Sequence, residues 1–443
     1  MKHIISGVAL LAISVLCEAQ PWMNIHDNDG NVYSLDVQNV EYIDFGDYVE
    51  SSFSDYETIA QKYFLLTKNK IPSLDSTLAE IGEVTGKSAI QGRLYPATKD
   101  NKCKEVSDLF RYSLPMRVDT TSTYSKFGVR PTVPRRRSMT IEFYADCNRL
   151  EIKGYHGFQC IVVVDGVRIN SSNNENFTKS VSSVFSFLPI SFAEKRKRLV
   201  KIYYWGLAGF AGIVTDGEIT RYRKKRLLLC ADGDSVVEGL GGAREICSNW
   251  VGLIGQYFDF DIYNAAIGGS GFVQTGNYDY PNMPDRFDEN IAKYTPDILM
   301  FSGGFNDKNA DEEFVENVDE YFRKATNLNH CRIIACSPYC NVDLATAPER
   351  LQQQCEIIRK KALEYHIPFI DYMHAMTYDS EGNCITNNLG TEAYHNIITE
   401  ENRATYLDLE SGDTVHPNAT GHAAIGKYIA CELYKVLNRL EGF

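Results

Sequence analysis

The chain has 443 residues, of which 44% are hydrophobic and 23% are charged, and its formal net charge is −13. This length is too great for one comfortable core at roughly 100–200 residues per domain, so we expect two folded domains and a short leader. The composition is typical of a globular protein, which excludes a fibrous or broadly disordered chain. The negative charge argues against a nucleic-acid partner, and we interpret the basic runs at residues 135–137, 195–198 and 223–226 as solvated strand ends and linkers.

Residues 1–19 have the pattern of a signal peptide. Lys2 supplies the positive charge, residues 4–16 are apolar, and Ala19 is the small residue at the expected cleavage point. A membrane-spanning helix needs about 20 apolar residues, and neither this run nor any other stretch is long enough. A lipid anchor through Cys17 is the second choice, because lipid-modified cysteines follow a small residue and Cys17 follows Leu16. We therefore expect a protein without stable membrane insertion, exported to the periplasm or out of the cell.

The chain contains 12 cysteines, and cleavage after Ala19 would leave an odd number. A few disulfides are compatible with export, but they are not expected to be the framework of the fold. No two C-x-x-C pairs occur, so the spacing indicates no structural zinc site. Cys230 and Cys336 lie inside apolar runs that are typical of buried strands, where free Cys behaves as a small hydrophobe.

Residues 20–87 are predicted to form a β-rich leader followed by a short helical segment. Asp29-Gly30 lies between two alternating runs, which predicts a hairpin. Helical spacing over about 54–85, at positions such as Ile59 and Tyr63, is interrupted by Pro72.

Residues 88–222 are predicted to be all-β. Apolar and polar residues alternate over 140–144 and again over 199–205, and the run at 161–169 turns at Asp165-Gly166. Short strands separated by turn residues favour a β-sandwich of the jelly-roll kind. Such a domain would either bind glycan or pack beside a catalytic domain, and the sequence leaves both alternatives open.

Residues 223–443 are predicted to form a three-layer α/β domain with a parallel sheet. Continuously apolar runs at 227–231, 262–267, 298–302, 333–336 and 368–370 alternate with helical patterns at 243–258, 312–328, 348–365 and 419–440. In open sheets of this kind the ligand lies beyond the carboxyl ends of the strands. The residues that follow each run are therefore the candidates for function.

Ser235 follows the first of these strands and is the candidate nucleophile. A serine hydroxyl attacks only when a base takes its proton and a third group fixes the tautomer of that base. His416 is the candidate base, and Asp413, three residues earlier, can reach its imidazole. The N–H groups of Ser235 and Gly269 and the amide of Asn306 would stabilise a developing oxyanion, and Gly269 would allow a close backbone approach.

These four blocks, in this order, resemble those of the SGNH (GDSL) hydrolases: Gly-Asp-Ser, a later glycine, Gly-x-Asn-Asp and Asp-x-x-His. The resemblance covers residues 227–443, about half the chain. It implies a flavodoxin-like fold, a shallow open site and ester hydrolysis that needs neither metal nor cofactor. By position, Ser235, Asp413 and His416 match the family's triad, and Gly269 and Asn306 match its oxyanion residues; Gly268 is the alternative to Gly269.

The sequence departs from the family in two places. Val236-Val237-Glu238 follow the serine where the family often has Leu or Ile, and we expect Glu238 at the rim of the pocket. A polar stretch at 374–412, which contains His374, His395 and Tyr406, is expected to line or cover the site.

The residues and the resemblance together predict an exported carboxylic ester hydrolase, most simply a carbohydrate esterase that deacetylates a polysaccharide or oligosaccharide. The leader resembles the N-terminal pieces of exported glycan-degrading proteins of Bacteroidetes. The expected export, the β-sandwich domain and the family resemblance favour an acetylated glycan as the substrate. Two alternatives stay open. One is a lipase or lysophospholipase on the same scaffold, and the other is a non-catalytic glycan-binding protein.

Overall fold

A computed structural model gives the fold of the chain. It describes residues 22–26, 32–36, 79–99, 105–118, 128–131, 139–155, 160–169, 185–204, 209–241, 249–385, 403–407 and 409–439. The chain divides into two compact units, Met1–Thr58 and Ile59–Phe443. Within the described residues, no helix has both the length and the apolar character that crossing a bilayer requires.

The described residues of the first unit form a β-hairpin. Strand β1 (Trp22–His26) pairs antiparallel with β2 (Val32–Asp36), with Trp22 opposite Asp36. These are the two runs that flank Asp29-Gly30, so the predicted pairing is present. The predicted signal peptide, Cys17 and the predicted helical spacing up to residue 78 lie outside the described residues. The helical prediction is wrong for residues 79–81, because Ala79–Ile81 is a strand.

The β-rich domain of the second unit is one antiparallel network of eleven strands. They are β3 (Ala79–Ile81), β4 (Arg93–Pro96), β5 (Arg111–Tyr112), β6 (Met116–Val118), β7 (Val129–Pro131), β8 (Met139–Tyr155), β9 (Cys160–Val164), β10 (Val167–Ile169), β11 (Phe185–Tyr204), β12 (Phe210–Thr215) and β13 (Glu218–Arg221). The long strands β8 and β11 pair with each other through an irregularity between Ser191 and Arg196. The all-β prediction is confirmed, whereas its division into two packed sheets is supported only in part, because all eleven strands connect into one sheet.

Alternation along β11 shows why this sheet buries one face. Ser186, Leu188 and Ile190 are fully buried while the residues between them are partly exposed, as the two-residue period of a strand requires. The predicted turn between β9 and β10 is present, with φ of 49° at Asp165 and 79° at Gly166. Positive φ at both central residues is the geometry of a tight hairpin turn.

The α/β domain at residues 223–443 contains, among its described residues, the strands β14 (Leu228–Gly233), β15 (Asp261–Asn264), β16 (Ile298–Ser302), β17 (Arg332–Cys336), β18 (Phe369–Asp371) and β19 (Met376–Tyr378). They form one six-stranded sheet in the order β15-β14-β16-β17-β18-β19. The first five run parallel, and β19 is an antiparallel edge strand. All five predicted runs are strands of this sheet.

Seven helices are described around this sheet. They are α1 (Ser235–Glu238), α2 (Trp250–Phe258), α3 (Met283–Asn290), α4 (Glu312–Thr326), α5 (Glu349–Glu364), α6 (Arg403–Tyr406) and α7 (Ala419–Arg439). Helix α2 packs against α7, while α4 packs against both α3 and α5. The three-layer α/β prediction is confirmed; helix α3 and strand β19 were not anticipated. Cys230 and Cys336 are fully buried, and the nine described cysteines all carry free thiols.

Buried charges join the β-rich domain to the α/β domain. Glu142 on β8 has no exposed surface, and its carboxylate accepts hydrogen bonds from Arg111 at 2.8 Å and from Arg226 at 2.6 Å. Arg111 also contacts Asp261 at the start of β15. The interpretation of the basic runs as solvated is therefore wrong for Arg226, whose side chain is 6% exposed, and for Arg198, which is buried. A buried carboxylate requires such partners because its charge is costly to desolvate.

Candidate active site

The end of β14 places Ser235 at the carboxyl edge of the sheet. An ideal Cβ on Gly233 would lie 2.1 Å from the carbonyl oxygen of Ser302 on the adjacent strand, so only glycine fits at this close approach. Asp234 then has an extended backbone, and its carboxylate caps α1 by accepting the N–H of Val236 at 2.9 Å. Ser235 is the first residue of that helix and is 6% exposed.

The turn before α7 brings a histidine to this serine. Nε2 of His416 lies 2.8 Å from Oγ of Ser235, and Nδ1 of the same ring lies 2.6 Å from Oδ2 of Asp413. Asp413 also accepts the backbone N–H groups of Val415 and His416, at 2.9 and 3.0 Å. The three side chains expected to form a triad are therefore joined by hydrogen bonds, with the carboxylate and the hydroxyl on opposite nitrogens of the ring.

The charge of Asp413 is stabilised by these hydrogen bonds. Burial acts to raise its pKa, but the N–H groups of His416 and Val415 and the imidazole of His416 outweigh burial, so the pKa of Asp413 lies below its usual range. The carboxylate therefore stays ionised opposite His416, and an ionised partner stabilises a protonated imidazole.

The expected oxyanion donors are the N–H groups of Ser235 and Gly269 and the amide of Asn306. Gly269 has a φ of +77°, which a residue with a side chain rarely adopts. In the described part of the chain, no acceptor is bonded to the N–H of Ser235 or of Gly269. Nδ2 of Asn306 donates to the carbonyl oxygen of Ser270 at 3.0 Å, and because an amide carries two N–H bonds, one remains for another acceptor.

Glu238 distinguishes the two glycines that the sequence left as alternatives. Its Oε2 accepts the N–H of Gly268 at 2.6 Å, so that N–H is already used inside the protein. Gly268 is buried, whereas Gly269 is partly exposed. The geometry therefore favours Gly269 over Gly268 as the oxyanion donor. Glu238 instead holds the backbone at Gly268 in place.

Asp307 organises the loop that follows Gly269. Its carboxylate accepts the N–H groups of Phe272, Val273 and Gln274 at 2.9, 2.8 and 2.7 Å. Burial raises the pKa of Asp307, and these three N–H groups oppose that rise. Since Asn306 precedes it directly, Asp307 also fixes the backbone that carries the expected oxyanion amide.

A buried ion pair that the sequence reasoning missed supports both loops. Arg286 on α3 donates to Oδ1 of Asp232 at 2.8 Å, to the carbonyl oxygen of Gly233 at 2.9 Å and to Oγ of Ser270 at 2.8 Å. Tyr321 donates to the other oxygen of Asp232 at 2.9 Å. The available signal was the start of α3, where an N-cap asparagine is followed two residues later by proline.

Asp234 adds an unusual carboxyl group beside the imidazole. Its side chain is almost fully buried, and burial raises its pKa to about 6, although the N–H of Val236 and the nearby His416 act to lower it. This group changes its charge in the pH range in which enzymes commonly work.

The polar stretch at 374–412 is only partly described, and His395 lies outside the described residues. The N–H of Asn418 donates to the carbonyl oxygen of Tyr406 at 2.8 Å, which places Tyr406 beside the turn that carries His416. His374 instead contacts Asp371 and Cys355. His422 is buried and donates from Nε2 to the carbonyl oxygen of Leu240 at 2.9 Å.

Residues 231–424 match the GDSL-like lipase/acylhydrolase family. No match was found among curated proteins. The matched range contains every side chain of the site described above, from Asp232 to His422.

Several solved structures share the fold. The salicylyl-acyltransferase SsfX3 from a tetracycline biosynthetic pathway is 14% identical, with a TM-score of 0.57 over 80% of this chain and 99% of that one. Family two carbohydrate esterases from Cellvibrio japonicus and Clostridium thermocellum are 12% and 13% identical, both with a TM-score of 0.51, and cover 82% and 74% of this chain and 100% and 99% of theirs. Each of these matches covers more of the chain than the α/β domain, which is about half of it, so the common fold includes strands of the β-rich domain.

Proposed function

We propose that this chain, whose residues 231–424 form a GDSL-like lipase/acylhydrolase domain, is an exported serine esterase that removes acetyl groups from a polysaccharide or oligosaccharide. The observation that carries the proposal is the continuous hydrogen-bonded chain from Ser235 through His416 to Asp413. This order of groups is what an activated serine requires.

In the first half of the reaction, Ser235 forms a bond to the carbonyl carbon of the ester. Nε2 of His416 takes the hydroxyl proton as Oγ attacks, and Asp413 stabilises the imidazolium through Nδ1–H. The negative oxygen of the tetrahedral intermediate accepts the N–H groups of Ser235 and Gly269 and the second N–H of Asn306. The intermediate then collapses, and Nε2–H of His416 gives its proton to the departing alcohol, which leaves an acyl-serine.

In the second half, water replaces the alcohol. His416 takes a proton from water as the oxygen attacks the acyl-serine, and the same oxyanion donors hold the second tetrahedral intermediate. Collapse returns the proton to Oγ of Ser235 and releases the acid.

An exposed aromatic ring near the loop that carries Gly268 and Gly269 supports a carbohydrate substrate. Residues 276–280 form a tight turn, closed by a hydrogen bond of 2.7 Å from the N–H of Gly276 to the carbonyl oxygen of Tyr280. Asn277 contacts the loop of Gly268, since its N–H donates to that carbonyl oxygen at 2.9 Å. Tyr278 follows at the tip and is 84% exposed, with a φ of 62°.

Holding a non-glycine residue in this backbone region costs free energy, and such strain is concentrated at functional positions. An exposed tyrosine is a flat amphipathic surface on which a sugar ring can stack. The carbohydrate esterases of the same two-part fold add an analogy at the level of fold. Together these features favour a glycan ester over a long-chain acyl lipid.

The test measures hydrolysis of acetyl, butyryl and octanoyl p-nitrophenyl esters, together with acetate release from acetylated xylan. We expect fast acetyl turnover and acetate from the polymer, with kcat/KM lowered about 10⁴-fold or more in Ser235→Ala. Ser186→Ala, which alters a fully buried serine of the β-rich domain, is the matched control and should retain activity. Tyr278→Ala should raise KM for the polymer and leave p-nitrophenyl acetate unchanged.

Each alternative function has its own result in this assay. A preference for octanoyl esters would replace the proposal with a lipase, and activity that survives in Ser235→Ala would overturn the mechanism. Binding of xylan without hydrolysis of any ester would favour the non-catalytic glycan-binding protein. Equal KM values for Tyr278→Ala and wild type on the polymer would remove Tyr278 from the substrate site.

A further inference from the structure

A second cluster of reactive side chains lies away from Ser235, where helix α5 meets the end of strand β18. Cys355 lies on α5, Asp371 is the last residue of β18, and His374 follows in the turn before β19. Sγ of Cys355 lies 3.6 Å from Oδ2 of Asp371 and 3.8 Å from Nδ1 of His374, and these last two atoms are 2.8 Å apart. Three different donor atoms thus converge on one point.

The arrangement is unlike that of a nucleophilic triad. At Ser235 the carboxylate and the hydroxyl lie on opposite nitrogens of His416. Here the carboxylate and the thiol both face Nδ1 of His374, so the ring cannot relay a proton from one to the other. Three donor atoms that lie close together and face one another are instead what binding of a shared cation requires.

We propose that Cys355, Asp371 and His374 bind a divalent zinc ion, with water completing the coordination. A thiolate, an imidazole and a carboxylate are all ligands of Zn²⁺. With zinc bonds of about 2.0 to 2.3 Å, ligand atoms in a tetrahedron lie about 3.3 to 3.6 Å apart. The two contacts of Cys355 are near this spacing, and the contact between Asp371 and His374 has only to open by about half an ångström.

The cluster is accessible from one side. The side chain of His374 is 30% exposed, whereas that of Asp371 is 5% exposed and Cys355 is 2% exposed. Arg359, one turn along α5 from Cys355, is held by two hydrogen bonds of 2.8 Å to Glu356, which offsets its charge. A cation can therefore reach the donors through the exposed edge of the imidazole.

Binding would release a proton from the cluster. The thiol of Cys355 gives up its proton to become a thiolate ligand, and the neutral ring of His374 binds through Nδ1 with its N–H on Nε2. The ion would then connect helix α5 to the link between β18 and β19. The consequence is a stabilising crosslink, independent of ester hydrolysis.

The experiment titrates the full-length protein with Zn²⁺ and, in parallel, with Co²⁺, whose thiolate charge-transfer absorption reports a bond to sulfur. We expect one equivalent to bind, thermal stability to rise, and the Co²⁺ absorption to appear. Cys355→Ser should abolish that absorption and weaken Zn²⁺ by more than the roughly 10- to 100-fold that loss of an outer-shell partner costs. Cys384→Ser, which alters an exposed cysteine, is the control and should bind as wild type does.

Asp371→Asn and His374→Ala keep the proposal testable if the Cys355 variant folds poorly, since each removes one ligand by itself. The proposal is overturned if Zn²⁺ binds equally well to all three variants, or if the Co²⁺ complex shows no thiolate absorption. Zinc binding that disappears only in His416→Ala would assign the ion to the triad instead and would also overturn it.

Discussion

Two Asp-x-x-His turns lie in the α/β domain, at residues 413–416 and 371–374, and their local geometry is nearly the same. In both, the aspartate accepts the backbone N–H of the histidine at 3.0 Å. Its second oxygen accepts from Nδ1, at 2.6 Å in the first turn and 2.8 Å in the other. The turn by itself therefore makes an oriented imidazole and nothing more.

The third side chain decides what each imidazole can do. Ser235 meets Nε2 of His416, the nitrogen that is opposite the carboxylate, and this allows a proton to move away from the hydroxyl. Cys355 meets Nδ1 of His374, on the same side as the carboxylate. One arrangement suits acid–base catalysis and the other suits chelation, although the four-residue pattern in the sequence is the same.

The largest expected difference between the turns comes from removing each histidine. His416→Ala should lower kcat for p-nitrophenyl acetate by about 10⁴-fold or more, because Ser235 then has no base. His374→Ala should leave kcat within about threefold, since its imidazole contacts no group of the triad. Steady-state kinetics on the two variants, purified in parallel, measures both effects.

Circular dichroism serves as the control that both variants are folded. Equal losses of kcat in two folded variants would mean that the turns are not functionally distinct. In that case the link between β18 and β19 would belong to the active site.

A smaller difference is expected when each aspartate becomes an amide. Asp413→Asn should lower kcat by about 10²- to 10⁴-fold, because an amide neither fixes the productive tautomer of His416 nor stabilises its cation. Asp371→Asn should leave kcat unchanged while it removes the zinc-dependent gain in thermal stability. Activity retained in Asp413→Asn would show that the hydrogen bond of 2.6 Å contributes little to catalysis.

Much of the secondary structure of the α/β domain is predictable from sequence, because continuously apolar runs have few alternatives to buried parallel strands. The run at 298–302 coincides with β16, and the helix expected at 312–328 is observed as Glu312–Thr326. Helix α3 has only eight mostly polar residues, which is too short for a helical period to be recognised in the sequence. The edge strand β19 has three residues, too few for an alternation to be recognised.

The same limit applies to the site. Ser235, Asp413 and His416 could be grouped from order and spacing, since each follows a strand or precedes the last helix. Cys355 could not be grouped with His374, because helix α5 and the turn after β18 meet only in the folded chain. The role of Glu238 at Gly268 was also inaccessible, since the choice between the two glycines depends on which N–H is already bonded.

The smallest effect concerns Asp234, a buried carboxyl whose pKa His416 acts to lower. Its pKa of about 6 in the folded protein lies above the ordinary value, so between pH 4 and pH 6 the folded state holds more protons than the unfolded state. The contribution of Asp234 to stability therefore falls as pH rises through this window and is constant above it. Asp234→Asn does not titrate, so between pH 4 and pH 7 its free energy of unfolding should gain about 2 kcal/mol on that of wild type. Urea denaturation at pH 4 and pH 7 measures this difference in the free energy of unfolding, and Asp285→Asn, which alters an exposed carboxylate, is the control. An identical pH dependence of stability in Asp234→Asn and wild type would mean that burial does not hold this carboxyl protonated.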